Sequence, residues 1–282
     1  ITMKISHVLR AEEHLPNTPK QQMLWNALGV TPPVWAHVPV LVNEQRKKLS
    51  KRRDKVAVEQ YREEGILPQA MVNYLMTLGW APHGDTEIVP WEKIVEEFAL
   101  ESVNHSPAFF DIKKLQSFNG EYIRMMPLED FITAAEVILT SSAAPWPAER
   151  YKPELFRAMA ELVQTRVVVM AEVCALVDFL FLAEPPIDDA AFTKAFSADF
   201  AAPTLGEIAT AFATCEWNAE SLKTAVEAVG TKHDVKLGKL QGPLRIAITG
   251  RSVGPPLFEP IELLGRDESL RRIKSALARA QG

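Results

Sequence analysis

The sequence predicts a mainly α-helical protein that begins with a small α/β segment. Three observations lead to this prediction: the first 42 residues alternate between extended and helical patterns, the chain from residue 56 onward keeps a helical period, and 47% of the 282 residues are apolar. So large an apolar fraction can fill a buried core, which excludes disordered and fibrous proteins. The length allows one large domain or two to three smaller ones.

The N-terminal elements are predicted as strand, helix, strand and basic loop. Residues 5 to 10 and 34 to 42 have extended apolar patterns. Between them, Thr18 is expected to be the N-cap of a helix that has Pro19 at its first position and ends at Gly29. This is only part of an α/β unit, because a parallel sheet needs more strands than these to bury both of its faces.

Helices are predicted for nearly all of the remaining chain. The first two cover residues 56 to 64 and 68 to 78 and end at glycines. One face of the second consists of Met71, Tyr74, Leu75 and Leu78. Further helical segments are predicted at residues 91 to 98, 111 to 124 with Asp111 as its cap, 128 to 139, 153 to 182, 189 to 230 and 261 to 282. Residues 242 to 257 are expected to form a connection, because glycines and prolines surround the apolar run RIAIT.

The composition also excludes several classes of protein. The chain has only two cysteines, Cys174 and Cys215, in otherwise helical-looking sequence, which is too few for a disulfide framework or a Cys-rich zinc site. We therefore expect no zinc and a reducing, cytoplasmic location. The most apolar stretch, residues 167 to 182, carries Glu172 and Asp178 and is too short for a membrane span. The chain opens with Ile1 inside an extended segment, and we expect it to be a piece of a longer protein.

Positive charge is concentrated in one decapeptide. The chain has 31 basic and 36 acidic residues, a net charge of −5, which at first argues against a nucleic-acid partner. Residues 46 to 55, RKKLSKRRDK, hold seven of the basic residues and one acidic residue. The rest of the chain therefore carries −11, and the decapeptide is a dense positive patch. It is suited to phosphate, although a solvated arm would have the same composition.

A possible phosphate-binding motif lies inside this decapeptide. The sequence KLSKR, residues 48 to 52, follows an apolar strand and precedes a helix. Two lysines three residues apart can both reach a triphosphate, and the serine hydroxyl and nearby backbone amides can complete the site. Basic pentapeptides also occur by chance in surface loops, so the motif alone leaves that alternative open.

The motif and its context resemble a known family over nearly the whole chain. KLSKR is similar to the second signature motif of class I aminoacyl-tRNA synthetases, and the surrounding sequence resembles bacterial-type glutamyl-tRNA synthetases. The blocks that carry the resemblance are SHVLRAEEHLPNTPKQ, YREEGILPQAMVNYLMTLGW, VNHSPAFFDIKKLQSFNGEYI, KLGKLQGPLRIAITG and PPLFEPIELLG, in the order and spacing of the family. The family implies ligation of L-glutamate to tRNA-Glu through glutamyl-adenylate, with ATP and Mg²⁺.

The resemblance implies roles for residues near the motif. Lys48 and Lys51 would be catalytic, because they would stabilise charge on the ATP phosphates as the glutamate carboxylate attacks. The expected ATP-binding residues are Leu41, through its backbone to adenine, and Lys48, Ser50, Lys51 and Arg52. The expected glutamate-binding residues are Arg10, which would grip the carboxylate, and Glu13 and His14 beside it. An ordinary surface ion pair for Arg10 and a capping or core role for His14 are the alternatives.

The resemblance also implies a domain order and RNA contacts. Residues 1 to 55 would be the end of a Rossmann-type catalytic domain, 56 to 127 a stem-contact domain, and 128 to 187 and 188 to 282 two domains of an all-helical anticodon-binding cage. The expected tRNA-binding residues are Arg53 and Lys55, which would follow the RNA backbone, and Arg166, which matches an arginine that reads the third anticodon base. Arg245, Gly254, Pro255 and Leu257 match positions that touch the other two anticodon bases. For Arg166 the alternative is a polar position on an amphipathic helix, and for Leu257 it is ordinary core packing.

The first signature of class I synthetases, an H-I-G-H-type motif, does not occur in the sequence. The only His-Gly pair, His83-Gly84, lies in a polar loop 35 residues after Lys48. We therefore expect these 282 residues to bind tRNA without forming glutamyl-adenylate at an appreciable rate.

Two other functions stay open on the sequence. The chain could be a helical interaction module with no RNA role, or its parent could charge both tRNA-Glu and tRNA-Gln. The family further suggests a monomer with no membrane partner.

Overall fold

The structure, a computed structural model, describes residues 1–50, 52–84, 86–104 and 106–281. It is mainly helical with a few short strands, which confirms the predicted fold class. The chain forms two compact units, Ile1–Tyr122 and Ile123–Gly282. Within the described ranges, no helix is both long enough and apolar enough to cross a membrane.

The first unit contains the strands and the shorter helices. In chain order these are β1 (His7–Ala11), α1 (Thr18–Ala27), β2 (Val34–Val38), β3 (Leu41–Val42), α2 (Val58–Glu63), α3 (Pro68–Met76), α4 (Trp91–Glu97), β4 (Ala108–Phe109) and the start of α5 (Ile112–Met125). Strand β1 pairs in parallel with β2, so that Arg10 lies opposite His37, and β3 pairs in parallel with β4. Asp111 caps α5 as predicted, because its Oδ1 accepts the amide N–H groups of Lys113 and Lys114 at 2.8 and 3.2 Å.

Two details of the N-terminal prediction are wrong. The expected strand over residues 34 to 42 is two strands, since Pro39 has no N–H for a ladder and separates β2 from β3, which join different sheets. Thr18 is the first residue of α1 and not its cap, because a 3₁₀ turn over Glu12–Asn17 runs directly into the helix. The hydroxyl of Thr18 instead accepts a hydrogen bond from the guanidinium of Arg10.

Helix α3 contributes Tyr74, a buried aromatic residue with a polar hydroxyl group, to the interior of the first unit. Tyr74 is fully buried, packs against Phe110 and Phe118, and accepts the backbone N–H of Asp111 at 2.6 Å. Burial raises the pKa of Tyr74 to about 12. The predicted apolar face is wrong at Leu75, which is 42% exposed, because the chain buries the face centred on Tyr74 more deeply.

The second unit is entirely helical in its described part. It continues with α6 (Leu128–Leu139), α7 (Pro153–Gln164), α8 (Val173–Phe181), α9 (Asp189–Ala195), α10 (Ala201–Thr214), α11 (Ala219–His233), α12 (Leu237–Thr249), α13 (Phe258–Leu264) and α14 (Arg266–Gln281). Its largest core is formed by side chains from α9 to α14, including Phe212, Leu222, Val226, Leu244 and Ile273.

The expected connection over residues 242 to 257 is wrong in its first half. Helix α12 passes through Gly242 and Pro243 and ends only at Thr249. Leu240, Leu244 and Ile248 lie on its buried side and are at most 1% exposed, so core packing outweighs the low helix propensity of glycine and proline. The non-helical connection is therefore confined to residues 250 to 257, which we call the GPP turn.

Gly250 starts the GPP turn in a conformation that favours glycine. Its φ is +74°, and a Cβ atom there would lie 2.2 Å from the carbonyl oxygen of Pro186. The carbonyl of Gly250 accepts the N–H of Asp188 at 2.9 Å, which attaches the turn to the chain before α9.

Candidate functional site

The predicted phosphate-binding loop folds back on the strand that precedes it. Val42 forms an antiparallel bridge with Lys48, and the N–H of Leu49 donates to the carbonyl of Leu41 at 3.1 Å. At the tip, the side-chain Oδ1 of Asn43 accepts the N–H groups of Gln45 and Lys47, both at 3.1 Å. We call residues 43 to 54 the lysine loop. The backbone of its described residues 43 to 50 is thus held in a defined shape by hydrogen bonds within the loop and to strand β3.

Asp54 closes the lysine loop at its other end. Its Oδ2 accepts the N–H of Ser50 at 2.8 Å and its Oδ1 accepts from the side-chain amide of Asn43 at 3.3 Å. The backbone hydrogen bond from Ser50, followed by that from Asn43, lowers the pKa of Asp54. Ser50 is therefore fixed in place, but its N–H is already used.

Lys48 and Glu13, predicted to serve ATP and glutamate respectively, form an ion pair with each other. Both side chains are about half exposed, at 58% and 47%. The hydrogen bond from Lys48 is the main cause of a lowered pKa for Glu13. Lys51, the second predicted catalytic lysine, lies outside the described residues. Arg52, Arg53, Lys55 and His14 are exposed, and Lys55 forms an ion pair with Glu64.

Arg10 is held on one face of the β1–β2 pair. Its Nη2 donates to the hydroxyl of Thr18 at 2.8 Å, and its guanidinium carbon lies 5.0 Å from the centre of the Trp35 ring. The same hydroxyl lies 2.9 Å from Nε2 of His37. The Nε atom of Arg10 is buried and has no hydrogen-bond partner among the described residues.

A second group of predicted residues meets at the GPP turn of the second unit. Nη1 of Arg245, on α12, donates to the carbonyl of Pro255 at 2.6 Å and lies 3.5 Å from where a Cβ of Gly254 would be. Burial, and then the positive charge of Arg166, lower the pKa of Arg245. Arg166 is exposed in the turn between α7 and α8, not on a helix as its alternative interpretation required. The charge of Arg166 thus acts on Arg245, and Arg245 is bonded to the GPP turn, in which Gly254 is half-buried and Pro255 is buried.

Leu257 differs from its predicted companions. The residue is 3% exposed, and its side chain belongs to a hydrophobic core of the second unit. This favours ordinary core packing, the alternative interpretation of Leu257, over a direct contact with RNA.

Sequence reasoning missed several residues of these sites. Trp35, His37 and Thr18 surround Arg10, and the signal that could have found them is the parallel register that places His37 opposite Arg10. The buried Asp178 forms an ion pair with Arg251 of the GPP turn, with Nη2–Oδ2 at 2.5 Å. A single aspartate in the apolar helix VCALVDFLF was the available signal for that pair.

The donor set of the first unit suits anions and not a metal ion. Within residues 1–50, 52–84, 86–104 and 106–281 no group of three or more His, Cys, Asp or Glu side chains is placed to hold a metal. Lys48 and Arg52 offer exposed positive charge for phosphate, and the unpaired Nε of Arg10 offers a donor for a carboxylate.

Two family models match the chain in succession. The model described as "tRNA synthetases class I (E and Q), catalytic domain" matches residues 1–117. The model described as "Anticodon binding domain" matches residues 130–277, more than half of the chain. The lysine loop lies within the first match and the GPP turn within the second.

Individual proteins agree with the family models. The chain is 58% identical to the glutamate–tRNA ligase of Salinispora arenicola over 99% of its own length and 60% of that protein, and 56% identical to that of Frankia casuarinae over 100% and 60%. The crystal structure of a glutamate tRNA ligase from Elizabethkingia meningosepticum in complex with its amino acid superposes with a TM-score of 0.76 at 28% identity, covering 98% of this chain and 57% of that one. The chain thus spans about 60% of the length of these curated relatives. On the combined evidence of both family models and these relatives, the chain belongs to the glutamyl-tRNA synthetase family of class I aminoacyl-tRNA synthetases.

Proposed function

We propose that this chain provides the lysine loop and the anticodon-binding part of a glutamate–tRNA ligase. The proposal is supported by the exposed Arg166, whose charge acts on Arg245, and by the hydrogen bond from Arg245 to the GPP turn, all within the unit that matches the anticodon-binding model. The relatives that are named glutamate–tRNA ligase support the substrate assignment. The partners are therefore tRNA-Glu, glutamate and ATP, the last with Mg²⁺.

The first unit contributes positive charge to amino-acid activation. When ATP is bound with its metal ion, it supplies an electrophilic phosphorus for the glutamate carboxylate. Lys48 balances negative charge on the phosphates, and Ser50 and Arg52 lie on the same loop to orient them. Arg10, which has a buried and unpaired Nε, grips the glutamate carboxylate from the β1–β2 pair.

The second unit contributes recognition of single-stranded RNA. Unstacked anticodon bases can be read by hydrogen bonds to their edges and by stacking on guanidinium planes. Arg166 is exposed, so it is available to reach a base, whereas Arg245 is partly buried and donates to the carbonyl of Pro255 in the turn. Arg53 and Lys55 contact the RNA backbone, which positions the RNA without reading its sequence.

Binding of tRNA-Glu tests the proposal directly. A filter-binding titration of the 282-residue chain should give an affinity that falls as salt rises, because phosphate contacts release counterions. Arg166→Ala should weaken binding by about tenfold, and Arg150→Ala, an exposed arginine of the same unit, should not. Binding that is independent of salt, or equal losses in the two variants, would contradict the assignment and favour an interaction module without an RNA role.

Pyrophosphate exchange tests the catalytic side. Because the sequence has no H-I-G-H-type motif, the 282 residues should show little glutamate-dependent ATP–pyrophosphate exchange. A rate similar to that of a complete synthetase would show that the lysine loop and Arg10 are sufficient, contrary to the proposal.

A further inference from the structure

The two segments that carry the proposed anticodon contacts are both non-helical. Arg166 lies in the turn between α7 and α8, and Gly254 and Pro255 lie in the GPP turn between α12 and α13. A turn has no regular hydrogen-bond ladder to fix it, so its position depends on the side chains that tie it to neighbouring helices. The distance between the two segments must therefore be set by specific contacts.

Arg251, the second residue of the GPP turn, makes such a contact. Its Nη1 and Nη2 donate to Oδ1 and Oδ2 of Asp178 at 2.7 and 2.5 Å, and Nη1 also donates to the carbonyl of Ala175 at 2.5 Å. The Asp178 side chain is 3% exposed and that of Arg251 is 32% exposed. A bidentate ion pair of this kind fixes the orientation of the guanidinium relative to the carboxylate as well as the distance between them.

The helix that holds Asp178 also holds the segment of Arg166. Glu172 immediately precedes α8, and its Oε2 accepts the N–H groups of Val168 and Val169 at 2.9 and 3.3 Å. The N–H of Arg166 itself donates to the carbonyl of Val163 at 2.9 Å. Val163 belongs to α7, so Arg166 itself is attached to α7, whereas the residues that follow it are attached to Glu172 at the start of α8. Helix α8 is therefore bonded both to the connection that follows Arg166 and, through Asp178, to the GPP turn.

Stability alone does not explain a carboxylate at this position. Helix α8 has the sequence VCALVDFLF, and Asp178 is its only charged residue. Replacing a buried ion pair by apolar side chains is often neutral or stabilising, and orientation is the property that such a replacement would lose. Arg245 holds the other end of the same turn through the carbonyl of Pro255.

We infer that Asp178 and Arg251 are positioning residues for anticodon discrimination, since their pair holds the GPP turn at a fixed place relative to Arg166. The inference rests on the proposed function. It assigns no RNA contact to either side chain, because the donors of Arg251 are directed at α8. The property that depends on the pair is the ability to distinguish the third anticodon base of tRNA-Glu from a different base at the same position.

The test compares the affinity of the chain for tRNA-Glu with its affinity for the same tRNA carrying a substituted third anticodon base. The ratio of the two dissociation constants should fall at least about fivefold in Asp178→Asn and Arg251→Lys, while affinity for the substituted tRNA and its salt dependence stay unchanged. Arg251→Lys keeps the positive charge but loses the planar guanidinium that bonds both carboxylate oxygens of Asp178. It therefore still tests the inference if Asp178→Asn fails to fold. Glu129→Gln, which breaks the Arg157–Glu129 pair of the same unit, is the control and should keep the original ratio.

The outcomes separate the inference from the proposed function. An unchanged ratio in a folded Arg251→Lys variant would overturn the positioning role and leave the proposed function intact. A ratio near one in the unsubstituted chain would overturn the proposed function itself. A lower melting temperature with an unchanged ratio would show that the pair is only structural.

Discussion

Lys48 is held by a carboxylate that competes with phosphate for the same ammonium group. Because Glu13 pairs with Lys48, a triphosphate has to share or displace that partner. Glu13→Gln should therefore raise the affinity of the chain for ATP by a few fold, because it removes the carboxylate that competes for Lys48 and an exposed ion pair of this kind is weak. Isothermal titration calorimetry of the chain with ATP measures the change.

The neighbouring glutamate provides a matched control for this prediction. Glu12→Gln removes the same charge from an exposed position of the same 3₁₀ turn. Its affinity for ATP should rise less than that of Glu13→Gln. Equal increases in both variants would mean that general electrostatics, and not the pairing of Lys48, limits ATP binding.

The sequence can propose single residues where a local motif contains them. Lys48 and Ser50 were proposed because KLSKR is continuous, and Arg10 because its segment resembles a family block, and their roles stay predictions. Thr18 and His37 were not found as partners of Arg10. Their contact depends on the register of β1 against β2, a long-range pairing that no local pattern encodes.

Among the elements, helix α3 depends on a buried amide. Nδ2 of Asn73 donates to the carbonyl of Glu87 at 2.8 Å, and its Oδ1 accepts from the N–H of Val89 and the hydroxyl of Tyr122 at 3.1 and 2.9 Å. Asn73→Ala should lower the free energy of unfolding by about 2 to 4 kcal/mol, because it leaves these buried groups without a partner. Urea denaturation followed by circular dichroism gives the value.

A neighbouring position on α3 serves as the comparison. Val72 is 42% exposed, and Val72→Ala should cost less than about 1 kcal/mol. If the two substitutions had the same effect, the hydrogen bonds of Asn73 would not be the source of its contribution.

The ends of helices could be predicted where a single residue determines them. They could not be predicted where packing against the core determines them. Gly29 follows α1 and Asp111 caps α5 as expected, because glycine and aspartate act through their own backbone or side chain. Helix α12 was missed entirely, because the predicted helical segments end at residue 230 and resume at 261, and only the core around Leu244 shows why Pro243 is tolerated. The same limit explains the single strand predicted across Pro39.

At the scale of the whole molecule, stability should respond to acid through Glu268. Hydrogen bonds from Arg271, and then the contacts with Arg272, lower the pKa of Glu268 from 4.5 to about 2. A lowered pKa in the folded state means that the contribution is complete above pH 4.5 and is lost as the pH falls toward 2. Arg272 is 5% exposed and also donates to the carbonyls of Ile248 and Leu182, so this charge sits inside the second unit.

Glu268→Gln tests this dependence. Near neutral pH it should lower the free energy of unfolding by up to about 3 kcal/mol, and the difference from the original chain should shrink at about pH 3. Denaturant titrations at the two pH values measure it. A difference that stays constant with pH would exclude ionised Glu268 as its source.

RNA binding should depend on where the charge lies and not on its total. Two double variants are compared: one combines Arg52→Ala with Arg53→Ala, and the other combines Lys194→Ala with Lys223→Ala. Each double variant changes the net charge from −5 to −7. Only the first pair, in the lysine loop, should reduce the slope of log affinity for tRNA-Glu against log salt, by about 0.7 to 0.9 for each lost phosphate contact. Equal reductions in the two double variants would show that total charge controls binding.

The class of the whole fold could be predicted because helical periodicity is a property of each segment. The arrangement into units could not, since it follows from which helices share a core. The structure has two compact units, and the finer division at residues 55, 127 and 187 stays a prediction.

Leu257 shows how a variant can imitate a lost RNA contact. The residue belongs by sequence to the GPP turn, yet its side chain lies in the core of the second unit. A truncated side chain there would unfold part of the molecules, and a tRNA titration would register fewer active molecules instead of a weaker complex. Substitution of Leu257 would thus change the stoichiometry of binding, whereas substitution of Arg166 would change the affinity. Measuring both quantities for each variant would separate residues that maintain the fold from residues proposed to contact RNA.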